Sequence, residues 1–157
     1  MDNTGLIQSI KKELIVEASQ MTAFKVFTEK IDMWWPVAYH IGSSPLVETV
    51  LEQGVNGRWY TKHEDGSEAN VGYVQLWDPY AQLTLVWQVN GNFKYDPGLI
   101  TEIEVLFIPE SAKLTQIKLE HKNLERLGDG GKTIESMETG WGLILQLYKA
   151  YTEELTI

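Results

Sequence analysis

The chain contains no cysteine. Disulfides, thiolate metal sites and cysteine nucleophiles are excluded on that ground, and a reducing cytoplasm is compatible with it. Cations are scarce: 13 Lys and Arg stand against 22 Asp and Glu, a formal net charge of −9. Nucleic-acid binding relies on cationic side chains against phosphates, so this balance argues against it, and it would repel an anionic membrane surface. Histidine is limited to His40, His63 and His121, no two at metal-ligand spacing, so no metal or other cofactor is expected. No apolar run reaches the roughly 18 residues of a membrane-spanning helix. Met1-Asp2-Asn3-Thr4-Gly5 lacks a basic segment followed by an apolar one, so no signal peptide is expected. There is no Gly-x-Ser-x-Gly and no glycine-rich phosphate loop; Gly128-Asp129-Gly130-Gly131 reads as a plain loop.

What is present fits an ordinary globular protein. The 157 residues are 43% hydrophobic and 22% charged, and residues 1–157 are expected to form a single domain. Ile10 to Ala18 reads as a strand centred on Leu14-Ile15-Val16. Ser19 then caps a helix over Gln20 to Glu29, with Ala23, Phe24 and Phe27 at helical spacing. Pro36 disfavours helix at Trp35 and opens a loop to Pro45. Six strands follow: Val47–Glu52, Arg58–His63, Asn70–Trp77, Gln82–Val89, Leu99–Ile108 and Leu114–Lys122. Glu64-Asp65-Gly66-Ser67 is a strong hairpin signal between two of them, and the spacing near ten residues fits an antiparallel meander. Ile134 to Glu154 carries Met137, Trp141, Ile144, Leu145 and Tyr148 as one helical stripe.

Two-residue alternation predicts the inward faces. Leu83, Leu85 and Trp87 share one; Thr115, Ile117, Leu119 and His121 share another. Glu102 and Glu104 fall on the opposite side from Ile103, Val105 and Phe107, as a solvated face, with Arg58 available to pair with one of them across the sheet. Glu125-Arg126 reads as a loop charge pair.

The order strand, short helices, six strands and long helix resembles the helix-grip arrangement. Thr22-Ala23-Phe24-Lys25-Val26-Phe27, Trp34-Trp35-Pro36, Gly57-Arg58-Trp59-Tyr60, Val71-Gly72-Tyr73-Val74, Trp77-Asp78-Pro79, Leu85-Val86-Trp87, Leu119-Glu120-His121 and Gly140-Trp141 carry the likeness. They resemble bacterial members of the activator of Hsp90 ATPase homologue family, within the START-like (SRPBCC) superfamily. The resemblance implies an α+β, Bet v 1-like fold: a curved antiparallel sheet around a long C-terminal helix, two short helices after the first strand, and a deep cavity between sheet and helix. It implies no common reaction, since relatives include binders of hydrophobic molecules and cyclase-like proteins. The chain has no counterpart of the N-terminal domain that accompanies this one in eukaryotic co-chaperones, so Hsp90 activation is not expected.

The expected ligand contacts are Trp34, Trp35, His40, Trp59, Tyr73, Trp87, Phe107, His121, Trp141 and Leu145. Of Trp34 and Trp35, one is expected to cover the core and the other to be partly exposed. Trp87 and Trp141 serve equally as core or as stacking surface for a flat ligand. His121 reads first as a satisfied core histidine, and otherwise as the one polar contact. His40 is either a surface residue or near the cavity mouth; His63 is expected to face solvent at the hairpin. No catalytic residue is assigned. The expected function is cytoplasmic binding of a small apolar or aromatic molecule. The first alternative is a cyclase or hydratase acting on a polyketide-like substrate, with His121 paired to Tyr73 or His40. The second is a chaperone-interaction module, which would need an exposed apolar patch. A homodimer is allowed by the sequence.

Overall fold

The computed structural model describes residues 9–36, 42–127 and 132–155. Its elements are β1 (Ile10–Val16), α1 (Gln20–Glu29), α2 (Ile31–Trp34), β2 (Leu46–Leu51), β3 (Arg58–His63), β4 (Glu68–Asp78), β5 (Gln82–Trp87), β6 (Thr101–Ser111), β7 (Leu114–Lys122) and α3 (Lys132–Leu155). A short 3-10 turn, Leu124–Leu127, falls where the sequence reads as loop. The strands form one antiparallel sheet in the order β1-β7-β6-β5-β4-β3-β2. Only β1 leaves chain order, crossing to pair with β7. Register shifts interrupt β2–β3, β3–β4, β4–β5 and β6–β7, and such bulges bend a sheet.

Local chemistry sets the element ends. Ser19 Oγ accepts from the Thr22 N–H at 3.1 Å and starts α1. Asp65 closes the β3–β4 hairpin by accepting from the Ser67 N–H at 2.9 Å. β5 ends at Trp87 rather than Val89, because Val89 bridges Tyr95 and closes the following loop on itself. The same loop delays β6 to Thr101.

α3 lies in the concave side of the sheet. Trp141, Ile144, Leu145 and Tyr148 are buried and Met137 packs at the edge of the core, as the helical stripe requires. The Tyr148 hydroxyl donates to the Ala23 carbonyl at 2.7 Å and ties α3 to α1. At its far end Lys149 Nζ donates to the Ile15 carbonyl at 2.7 Å, and the Glu17 N–H donates to Glu153 Oε2 at 2.9 Å.

Three expectations are corrected here. Trp34 and Trp35 are both buried, because α2 folds back on the core and the Trp34 indole donates to the Val26 carbonyl at 2.9 Å. Arg58 reaches Glu68 and Asn70 on the adjacent strand, at 3.1 and 2.9 Å, rather than the distant glutamates of β6. His63 is buried, not solvent-facing: β3 keeps its alternation to the last residue, so His63 shares the inward face of Trp59 and Thr61.

Gly72 has a steric reason. A Cβ there would run into the Val86 carbonyl oxygen, with the carbonyl carbon at 2.8 Å. Gly72→Ala is expected to cost about 1–3 kcal/mol, as overpacking generally does. Urea unfolding would show this as a lower midpoint at constant slope; an unchanged midpoint would mean that β4 and β5 separate without penalty.

Candidate ligand-binding site

A row of paired residues crosses the inner face of the sheet. Trp59 lies opposite Gly72, Gly72 opposite Trp87, and Trp87 opposite Thr101. Strands are about 4.8 Å apart, so two indoles separated by a strand meet only if the residue between them is small. Gly72 fulfils that condition: the Trp59 and Trp87 rings stand 5.4 Å apart over it. On the other side Trp87 meets His121 of β7 at 5.8 Å. His121 meets Trp141 of α3 at 6.0 Å, Trp141 meets Trp35 at 5.9 Å, and Trp35 returns to Trp59 at 5.5 Å. Five rings thus form a closed circuit of edge-to-face contacts, each worth about 0.5–1.5 kcal/mol beyond burial. Trp87 is the half-buried member.

The circuit revises the expected open cavity. Trp59, His121 and Trp141 are only 1%, 0% and 4% exposed, so around them the space between sheet and helix is occupied by protein. A ligand there must displace side chains.

His121 sits at a hydrogen-bonded junction. The Trp141 indole N–H donates to His121 Nδ1 at 3.2 Å, so Nδ1 carries no proton. Nε2 therefore holds the hydrogen and faces Thr101 Oγ1 at 2.9 Å, while the Thr101 hydroxyl donates onward to the Trp87 carbonyl at 2.9 Å. Burial pushes the imidazole pKa down to about 3. Both ring nitrogens are committed, and the residue is neutral across the ordinary pH range. The Trp87 indole is also satisfied, by the Val89 carbonyl at 3.0 Å.

The other expected contacts divide. Trp34 joins the circuit from outside, 6.0 Å from Trp35 and 5.0 Å from Phe27. Phe107 belongs to a second aromatic group, 5.2 Å from Phe24 and 5.7 Å from Phe27. Leu145 is buried one turn beyond Trp141. Tyr73 does not converge: it pairs with Arg58 and Val86, on the face opposite Gly72 and Trp87. The sequence motif placed it correctly on its strand, but the inward residue there is Gly72. His40 lies outside the described residues.

No family model matches the chain, and no curated protein matches it by sequence. Solved structures do. The self-sacrificing resistance protein CalC from Micromonospora echinospora is 32% identical over 94% of this chain and 95% of its own, with a TM-score of 0.71. The chain belongs to the START-like superfamily. Within it, the chain shares a family with CalC. An anthrahydroquino-γ-pyrone synthase, Txn09, is 28% identical over 92% of this chain and 96% of its own, with a TM-score of 0.64. The Aha1 dimer from Colwellia psychrerythraea, at 15% identity over 94% of this chain and 97% of its own and a TM-score of 0.63, shares the fold.

In this START-like frame the sequence reading missed a polar couple. Thr61 Oγ1 and His63 Nε2 are 2.7 Å apart, and His63 Nδ1 lies 2.8 Å from the Ser44 carbonyl. A carbonyl only accepts, so Nδ1 carries the hydrogen and Nε2 accepts from the Thr61 hydroxyl. Thr61 and His63 are 2% and 4% exposed. The signal was available in the alternation Trp59, Thr61, His63; the adjacent hairpin residues masked it. Among the described residues no group of three or more metal-ligating side chains converges, and no helix is long and apolar enough to cross a membrane.

Proposed function

We propose that the protein is a cytoplasmic binder of a small, flat, apolar or aromatic molecule, held between the sheet and α3. The observation that carries this is the closed circuit of Trp35, Trp59, Trp87, His121 and Trp141. A flat aromatic ligand exchanges ring–ring contacts for contacts of the same kind, so opening the circuit for it costs less than opening a jigsaw of aliphatic side chains. Trp35 is the member to move. The other four stand on the sheet or on the 24-residue α3, whereas Trp35 is the cap that follows the four-residue α2. The name of one relative supports the same reading: Txn09 is an anthrahydroquino-γ-pyrone synthase.

Txn09 also favours a second reading, an enzyme of cyclase type using the same space. Its chemistry does not run through His121 with Tyr73. The imidazole has both nitrogens engaged and a pKa near 3, and Tyr73 faces away. The finer assignment to the activator of Hsp90 ATPase homologue family, and with it a chaperone-interaction role, rests on the sequence motifs and on likeness of fold alone.

Thermal unfolding with a panel of flat aromatic and lipid-like compounds tests the binding reading. A ligand at 100 times its Kd adds about 2.7 kcal/mol of stability and raises Tm accordingly. Trp59→Leu and Trp141→Leu are expected to shrink the shift relative to their own unliganded Tm. A panel without any effect on the native protein would end the proposal.

A further inference from the structure

The interior of the sheet has an aromatic centre and, next to it on β3, a polar end. Trp59, Thr61 and His63 alternate along one strand and so face the same side. Thr49 of β2 lies directly opposite Thr61, which puts a second buried hydroxyl residue beside the first. The Trp59 ring belongs to the aromatic circuit, so the Thr61 hydroxyl stands one inward position from the surface on which a flat ligand would stack.

The hydrogen-bond directions at Thr61 are fixed by His63. The Ser44 carbonyl holds the proton on Nδ1, which leaves Nε2 as an acceptor 2.7 Å from Thr61 Oγ1. Thr61 has one hydroxyl hydrogen. Its alternative acceptor, the Ala69 carbonyl, is 3.4 Å away, so the hydrogen goes to His63. What remains on Oγ1 is lone pairs, and among the described residues no hydrogen bond is donated to them. A buried hydroxyl oxygen with its hydrogen already committed recognises a donor and is indifferent to an acceptor. His121, the polar contact the sequence favours, is not available for this role, because both of its nitrogens are taken inside the circuit.

We infer that Thr61, oriented by His63, is the polar recognition point of the site, and that the ligand is a flat aromatic bearing a hydroxyl donor. The inference rests on the ligand-holder reading above. Thr61 sets specificity by accepting the phenolic hydrogen; His63 is a positioning residue that keeps the threonine hydrogen turned away. An aromatic with the same ring and an ether in place of the hydroxyl presents a second acceptor to Thr61 and is disfavoured, since a buried polar group is left unpaired.

The test uses three probes on the whole chain: 2-hydroxyanthraquinone, 2-methoxyanthraquinone and unsubstituted anthraquinone, with Kd read from tryptophan quenching. The hydroxylated probe is expected to bind about 5- to 100-fold more tightly than its methyl ether. Thr61→Val should abolish that preference, and Thr61→Ser, which restores the hydroxyl, should recover it. Thermal unfolding of both variants reports whether they fold; if the valine variant does not, the serine variant and the native preference decide. Equal affinity for hydroxyl and ether probes in the native protein overturns the assignment of Thr61 while leaving the aromatic site standing. A preference that survives Thr61→Val places the donor contact elsewhere and overturns it too. If none of the three probes binds, the ligand-holder reading falls and this inference falls with it.

Discussion

Leu145→Asp is expected to remove about 4 kcal/mol or more of folding stability, enough to leave the protein unfolded or nearly so at 37 °C. Leu145 is 3% exposed on the inner face of α3. Truncating a buried leucine costs about 2–5 kcal/mol by itself. A carboxylate in its place adds the cost of a desolvated charge. Typical domains have only about 5–15 kcal/mol in total. The same helix provides its own control: Leu143 and Leu147 are 46% and 38% exposed, so Asp at either is expected to change stability by about 0.5 kcal/mol or less. Urea unfolding followed by circular dichroism compares the three. A Leu145→Asp protein as stable as Leu147→Asp would show that α3 does not pack through the Trp141–Leu145 face.

The second large effect is an acid sensitivity owed to His121. Its folded pKa is lowered to about 3, while in the unfolded chain it returns to its ordinary 6.5. Between those values the unfolded state binds the proton and the folded state does not. Stability contributed by the neutral imidazole is therefore complete above pH 6.5 and lost as pH falls toward 3. The slope approaches about 1.4 kcal/mol per pH unit, and the whole loss is about 5 kcal/mol. Protonation would also put a hydrogen on Nδ1, where the Trp141 N–H already points. Glu153 loses stability in the same direction: desolvation raises its pKa, but the Lys149 hydrogen bond and its other partners lower it further. That contribution is common to native and variant protein and cancels in their difference. His121→Gln keeps an acceptor for Trp141 and a donor for Thr101 but does not titrate. Its stability is expected to fall less steeply than that of the native protein between pH 6 and pH 4, so the two curves converge or cross. Parallel curves across that range would mean that His121 titrates alike in both states.

The sheet and its inward faces were legible because period-two alternation is local. Leu83 and Leu85, and Ile117, Leu119 and His121, are buried as their spacing requires, and Trp87 is half-buried on the same face as the two leucines. The stripe on α3 was legible for the same reason at helical period. The circuit was not, because it joins β3, β5, β7, α3 and the cap that follows α2, and its closure depends on Gly72 letting two indoles meet across an intervening strand. Nothing local says which of Gly72 and Tyr73 faces inward; the pairing of Gly72 with Trp87 decides it. His63 was misplaced because turn residues next to a strand signal solvent, whereas here Gly42 packs on the imidazole and Ser44 binds it. The chemistry of the ligand is further removed still, since it depends on which hydroxyl hydrogens are already committed.

The central claim is that a flat aromatic ligand enters the circuit between sheet and α3, and the six tryptophans give a direct readout. In a proton–nitrogen correlation spectrum each contributes one indole N–H signal. On titration with 2-hydroxyanthraquinone, the signals of Trp35, Trp59, Trp87 and Trp141 are expected to shift together and to saturate at one Kd. Trp77, which packs on Phe24 in the second aromatic group, is expected to stay in place. Saturable shifts confined to Trp77, or no saturable shift at any indole, would contradict the claim.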